Sequence, residues 1–291
     1  MQSDKVNQLK TDQSVYLKHV NRKRYVNGQG YHFSRDALTV EEPLQISIEW
    51  QVDGTTQCEL WSMTMRTPGD DENLVYGLLI GQSVVNSWLD IEAIRCFDSH
   101  TSNAMNHIVV ILKPGIEPRL SSSTRRTIST SSCGVCGATS IRALQFSQSR
   151  EIDQSEHWLS AQDVLNYPSL LNQSQSQFHQ TGSVHGAAYM VDGELVAVAE
   201  DIGRHNALDK LLGFVSRQQI WHRQGVVVLT SRVSFELMQK AVISGIAAIV
   251  SVGAPSKIAL DIARQFDITL IGFTKAEQFN LYNGHWRMKP E

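Results

Sequence analysis

Two cysteines three residues apart stand in the stretch Ser131-Ser132-Cys133-Gly134-Val135-Cys136-Gly137. A Cys-x-x-Cys pair admits three chemistries: disulfide exchange, half of a zinc site, or nucleophilic handling of sulfur. Structural zinc takes four Cys or His ligands, and the chain has four cysteines with no second pair, so zinc would have to recruit Cys58, Cys96 or scattered histidines. Thioredoxin-like exchange needs the pair between a strand and a helix, whereas a Ser- and Arg-rich segment, 119–132, leads into Cys133. A persulfide carrier needs an accessible thiolate on a flexible loop. Gly134 and Gly137 free the backbone, and Arg125, Arg126 and Arg142 would lower a thiol pKa on approaching it. Sulfur handling is therefore favoured over a merely structural pair. Cys58 (CELW) and Cys96 (IRCF) lie alone in mixed apolar segments and read as small buried thiols.

The elements that must position this chemistry follow from the patterning. With 291 residues, 42% of them apolar, the chain can bury a substantial core. A formal net charge of −3 disfavours broad nucleic-acid binding, which needs a clustered excess of Lys and Arg. No run of 18 apolar residues occurs and the first residues lack the apolar core of a signal peptide, so neither a membrane span nor export is expected and the cytoplasm is. Residues 1 to about 14 are polar and aperiodic and read as a frayed tail, with 1–37 as tail and lead-in. PLQISIEW alternates like a strand, and the turn Val52-Asp53-Gly54 leads into a second. Acids at 70–72 open a helix carrying Leu74, Leu78, Val85 and Trp88, and strands IEAIRCF and HIVVILK follow, making 38–132 a small α+β lobe. Ser160 begins a helix, and the Gln/Ser stretch 172–180 reads as solvated.

From 133 to 291 the text is that of a larger α/β lobe. A hairpin turns at Asp192-Gly193, RHNALDKLLGFV is helical, and the buried-strand runs VVVLT, AAIVSV and ITLIGF alternate with helical segments. Such a β-α-β-α-β series predicts parallel strands, with ligands beyond their carboxyl ends. Those ends are Thr230-Ser231-Arg232, Gly253-Ala254-Pro255-Ser256 and Phe273-Thr274-Lys275, and the first two open helices, where free N–H groups suit an anion such as a diphosphate.

Glu42-Pro43-Leu44, MRTPGDDE (65–72), SSCGVCG (131–137), TGSVHGAA (181–188), EDIGRHNALDK (200–210), SFELMQKA (234–241) and GFTKAEQFNLY (272–282), in this order, make the chain resemble the formate dehydrogenase accessory sulfurtransferases of the FdhD type. The resemblance implies a cytidine-deaminase-like second lobe without the deaminase zinc, consistent with the lack of a His-x-Glu and Pro-Cys-x-x-Cys signature. It implies that sulfur comes from a cysteine desulfurase and passes to the bis-molybdopterin guanine dinucleotide cofactor of formate dehydrogenase, with a homodimer as the assembly. Cys133 would hold the persulfide, and Cys136 would assist transfer or protect it. Nucleotide contacts would fall on Arg232, on Ser256, and especially on Phe273, Thr274, Lys275, Ala276, Glu277 and Gln278. Asp201, Arg204 and His205 would either line the pocket or cap the helix and pair with each other. A non-enzymatic cofactor chaperone with redox-sensitive cysteines is the competing function. A deaminase-like hydrolase is a third, and it predicts tightly bound zinc.

Overall fold

The computed structural model describes residues 7–8, 13–97, 106–120 and 150–290. Its centre is a seven-stranded mixed sheet formed by β1 (Asn7–Gln8), β8 (His185–Val191), β9 (Glu194–Asp201), β10 (Val226–Leu229), β11 (Ala248–Ser251), β12 (Thr269–Gly272) and β13 (Asn280–Asn283), in the order β1-β9-β8-β10-β11-β12-β13. The expected parallel series is present: β10, β11 and β12 run parallel with aligned registers. Every residue of these three strands is buried. Unbroken apolar runs form there because helices cover both faces. The Asp192-Gly193 turn closes β8 on β9 with both residues at positive φ, the conformation that lets a two-residue turn match strand twist.

One face of the sheet packs on α5 (Arg204–Arg217), α6 (Phe235–Ile243) and α7 (Lys257–Gln265), and the other on α3 (Ala161–Ser174), which begins with the Ser160 hydroxyl accepting from Asp163 N–H. The smaller sheet joins β4 (Glu42–Val52), β5 (Thr55–Arg66), β6 (Ile91–Phe97) and β7 (Asn106–Leu112) in the order β5-β4-β7-β6. Its apolar face rests on α2 (Asp71–Gly81), whose other side crosses α5. Both helices have residues buried almost all round. The crossing depends on two glycines: a Cβ on Gly77 would lie 2.0 Å from the Asp209 carbonyl oxygen, and one on Gly213 would lie 1.9 Å from that of Asn73. Through this backbone contact the two sheets share one body.

Several expectations are corrected. The polar N-terminal stretch is not wholly frayed, since Asn7–Gln8 pairs in parallel with β9. Beyond the turn α1 (Gln13–Tyr16), residues read as lead-in form a long antiparallel hairpin of β2 (Leu17–Val26) and β3 (Gly30–Thr39). Cys58 and Cys96 are exposed rather than buried, because β5 and β6 are the two edge strands of their sheet. The helix after Asp70 stops at Gly81, and Ser83 at φ 56° turns the chain before Val85 and Trp88. The Gln/Ser stretch is partly interior: Gln175 is buried, and the N–H groups of Gln177 and Phe178 at the start of α4 (Ser176–Thr181) donate to the Glu200 carboxylate at 2.9 Å. That carboxylate is raised by burial and held back by these hydrogen bonds. Cys133, Cys136, Arg125, Arg126 and Arg142 lie outside the described residues.

Candidate functional site

Strand direction brings most of the expected nucleotide contacts to one edge. β9 is antiparallel to β8, and β8 to β10, so the carboxyl ends of β9, β10, β11 and β12 all emerge on the same side. From these ends come Arg204, Arg232, Ser256 and the segment from Phe273 to Gln278. Helices α5, α6 and α7 begin directly after the first three, so their amino ends, with free N–H groups and positive dipole ends, face this edge. Ser256 caps α7, its hydroxyl accepting from Ala259 N–H at 3.2 Å.

The loops are laced together beyond the strands. Val233 N–H donates to Ala254 O, Ser256 N–H to Val233 O, and Phe273 N–H to Gly253 O, at 2.9–3.1 Å. A Cβ on Gly253 would lie 2.8 Å from Arg232 N, and one on Gly272 would lie 2.8 Å from Pro255 Cδ, so small residues permit this approach. Phe273 sits at φ 54°, a costly conformation for a bulky residue, with its side chain 42% exposed. Next to it Thr274 is buried, and its hydroxyl has no hydrogen-bond partner among the described residues. Lys275 N–H closes a turn onto Gln278 O at 2.8 Å, leaving Lys275, Ala276, Glu277 and Gln278 exposed. The edge thus offers cations, helix termini and an exposed ring, the chemistry that holds a diphosphate and stacks on a base.

His185, which the sequence reading did not single out, stands in the middle of this edge at the amino end of β8, paired in register with Asp201. Burial lowers its pKa first, then Arg204, His205 and Arg232 lower it further, with Asp201 opposing. The imidazole is therefore neutral near pH 7. Arg204 and Arg232, 28 positions apart in sequence, both come near enough to this ring to act on its charge. Reversing direction at the Asp192-Gly193 turn was the signal that would have found it.

The Asp-Arg-His cluster divides. Asp201 is fully buried and takes no part in lining a cleft. Its Oδ2 accepts from Lys210 Nζ at 2.8 Å and Thr67 N–H at 3.1 Å, and its Oδ1 accepts from Gly203 N–H at 2.8 Å and Asn206 Nδ2 at 3.3 Å. Thr67 Oγ1 in turn accepts from Ile202 N–H, and Lys210 Nζ also donates to Thr67 O. The MRTPGDDE and EDIGRHN segments are thereby one interlocked unit. His205 turns to Glu236, Nε2 to Oε2 3.0 Å, and this hydrogen bond leads the causes that lower the Glu236 carboxyl. The three residues do not pair with one another; Arg204 remains half-buried at the edge.

A cavity of about 560 Å³ lies elsewhere, between α2 and the small sheet, lined in part by Arg66, Asp70, Asp71, Cys96, Asn106 and His107. Arg66 is neutralised there by a two-pronged pair with Asp71 at 2.8 Å. Asp70, at φ 61° before α2, has one carboxyl oxygen buried without a partner among the described residues. Burial pushes its pKa up to about 7, with Lys210 pulling down. The features that suit an anion, helix amino ends and cations, lie at the strand-end edge and not in this acidic cavity.

The description of the FdhD/NarQ family matches residues 39–289. The chain belongs to the FdhD/NarQ family. Among its relatives, "Sulfur carrier protein FdhD" of Nocardia farcinica is 36% identical over 260 residues, covering 88% of this chain and 89% of that protein. The protein of the same name from Mycobacterium tuberculosis is 39% identical over 256 residues, covering 85% and 90%. That of Picrophilus torridus is 33% identical over 269 residues, covering 92% and 97%. A crystal structure described as a formate dehydrogenase accessory protein, from Desulfotalea psychrophila, superposes with a TM-score of 0.70 over 94% of this chain and 99% of that one, at 21% identity, which shows a shared fold. The family match begins at residue 39, at the base of the β2–β3 hairpin. No helix among the described residues is long and apolar enough to cross a membrane.

Proposed function

We propose that this chain is a sulfur carrier serving formate dehydrogenase, which takes sulfane sulfur onto Cys133 and delivers it to a bound bis-molybdopterin guanine dinucleotide. The observation that carries the reading is that Arg204, Arg232, the Ser256-capped helix and exposed Phe273 all follow strand ends that emerge on one side of the sheet. The cofactor is the cargo. Its guanine nucleotide ends are anionic and planar, and this edge suits both properties. The curated relatives' name, sulfur carrier, supports the transfer chemistry.

In the loading step, a Cys133 thiolate attacks the terminal sulfur of a cysteine desulfurase persulfide. A Cys133 S–S bond forms, the donor's S–S bond breaks, and the donor's cysteine leaves as thiolate, so sulfur moves with no net change of oxidation state. At the edge, Arg204 and Arg232 place positive charge beside the diphosphate, and the N–H groups opening α5, α6 and α7 can donate to its oxygens. Neutral His185 adds a donor without adding charge repulsion to its arginine neighbours. Asp201, through Thr67, Gly203 and Lys210, holds the loop that presents Arg204.

Incubation with a cysteine desulfurase and cysteine, followed by intact mass measurement, tests the transfer: wild type is expected to gain one sulfur atom per step, about 32 Da, and Cys133→Ala to gain none on that site and to leave formate dehydrogenase inactive. A variant that still activates formate dehydrogenase fully removes Cys133 from the role. A wild type that binds nucleotide but never acquires sulfane sulfur leaves the chaperone function standing in its place.

A further inference from the structure

A second, smaller cavity lies among the carboxyl ends of α2, α5 and α6. It measures about 80 Å³ and is lined in part by Asn86, Ser87, Trp88, Arg150, Ser216 and Ser244. Asn86 to Trp88 follow α2, Ser216 stands in the last turn of α5, and Ser244 is the residue that ends α6. The larger cavity holds several acids, whereas no carboxylate of a described residue lines this one. Its volume exceeds the ~30 Å³ share of one water and falls far below the ~300 Å³ of a pocket for an organic ligand.

The polar groups around it are donors. Ser244 is only 8% exposed, and its hydroxyl is buried with no hydrogen-bond partner among the described residues. A native fold keeps a buried hydroxyl in that state when something else satisfies it. Asn86 Oδ1 accepts from Arg119 Nη2 at 2.5 Å, which leaves the Asn86 NH₂ as the end free to donate. The Ser87 hydroxyl accepts from Leu89 N–H at 3.2 Å and retains its own proton for a further partner.

Arg150 supplies the charge. Its guanidinium lies 4.8 Å from the centre of the Trp221 ring and pairs with no carboxylate among the described residues; burial lowers its pKa, and the Tyr189 phenol is what opposes this. A half-buried guanidinium is rarely left without a counter-charge. Helix carboxyl ends would by themselves repel an anion. Here local turns close them: Ser83 N–H donates to Ile80 O, Gln219 N–H to Ser216 O and Gly245 N–H to Val242 O. Asp90, in the same turn as Trp88, is also occupied, its Oδ2 accepting from the N–H groups of Asn86 at 2.9 Å and Ser87 at 3.0 Å.

We propose that this cavity binds a small tetrahedral oxyanion, phosphate or sulfate, held by the Arg150 guanidinium, the hydroxyls of Ser87, Ser216 and Ser244, and the Asn86 NH₂. The site is separate from the strand-end edge and does not rest on the sulfur-carrier reading. Arg119 and Arg150 bracket residues 121–149, the stretch of sequence that holds Cys133 and Cys136. Through Asn86 and Arg150, an occupied site ties both ends of that stretch to α5 and α6.

Calorimetry of the full chain with sodium phosphate and, separately, sodium sulfate at constant ionic strength tests it, on wild type, Arg150→Gln, Ser244→Ala and Arg232→Ala. Wild type is expected to bind at about 1 mM or tighter, Arg150→Gln at least about ten-fold more weakly, and Ser244→Ala about three-fold more weakly. Arg232→Ala, at the strand-end edge, is expected to keep the wild-type affinity for these anions. Melting gives an independent readout. Without the anion, Ser244→Ala should melt no lower than wild type, because it removes only an unpaired hydroxyl. With the anion, wild type should gain more than either cavity variant, the general effect of the salt being common to all. If Arg150→Gln fails to fold, Ser244→Ala carries the test alone. No saturable heat with wild type at about 20 mM of either anion overturns the proposal. So does an affinity that a folded cavity variant leaves at the wild-type value, or one that Arg232→Ala abolishes. A Ser244→Ala chain destabilised in the absence of anion shows that the hydroxyl already has a partner, and overturns it as well.

Discussion

Replacing Asp201 with Asn changes almost no volume and removes one charge, at a position where four donors and no acceptor converge. Lys210 Nζ and Thr67 N–H meet Oδ2, and Gly203 N–H and Asn206 Nδ2 meet Oδ1. Only a carboxylate accepts at both oxygens. An Asn side chain would turn its NH₂ towards one of the two donor pairs, losing two hydrogen bonds and leaving Lys210, itself buried, without its counter-charge. Breaking one partner of a buried ion pair costs about 3–5 kcal/mol, and the lost charge-assisted hydrogen bonds lie within the same figure. Urea unfolding of Asp201→Asn at pH 7 should show this loss as a lower midpoint at unchanged slope. Adding Lys210→Met should recover a good part of it, since the orphaned ammonium is then gone. The same variant should weaken nucleotide binding, because the loop presenting Arg204 loses its tether to Thr67. A loss below about 1 kcal/mol, or a double variant no more stable than the single one, would refute the interlock as the element that holds the two motifs together.

Three further outcomes are expected. Asp70 has a native pKa of about 7 against an ordinary 3.8, so its protonated form stabilises the fold below pH 4 and that contribution is lost as pH rises through 7; Asp70→Asn, tolerated at positive φ, should gain up to about 4 kcal/mol on wild type at pH 8 and little at pH 3.5 in paired urea titrations, and a pH-independent difference would show the carboxyl is not strained by burial. Gly213→Ala places a methyl 1.9 Å from the Asn73 carbonyl oxygen, backbone that cannot step aside, and should cost about 3 kcal/mol or more in thermal or urea unfolding; a neutral result would mean α2 and α5 do not cross so closely. Calorimetry with GDP should show binding weakened about ten-fold or more by Arg232→Ala and also by Phe273→Ala, whereas no heat with wild type at millimolar nucleotide would count against the strand-end site.

Local patterning carried much of the architecture. Continuous apolar runs bounded by turns mark β10, β11 and β12, and their alternation with helices dictates parallel pairing, because the crossover has one favoured hand. The Asp-Gly turns and the Ser160 cap were equally readable, since each depends on a residue's own backbone preference and its neighbours within four positions. The edge receiving Arg232, Ser256 and Phe273 followed from the same series. The Cys133/Cys136 pair is a statement of chemistry made by the sequence, and its place lies outside the described residues.

Local patterning thus dictates the set of elements, their parallel sense in the carboxyl-terminal part, and the reactive groups. Tertiary structure alone decided which distant groups meet. Asp201 reads equally well as pocket lining or helix cap until Thr67, 134 positions away, is seen donating to it. His185 acquires its setting only when β8 is placed between β9 and β10. Cys58 and Cys96 follow buried-looking text yet stand exposed, because strand order put both on sheet edges. Periodicity records which face of an element is apolar; it does not record which element that face finds, and a contact between residues far apart in sequence is set by strand order and by the two glycines that let α2 and α5 touch.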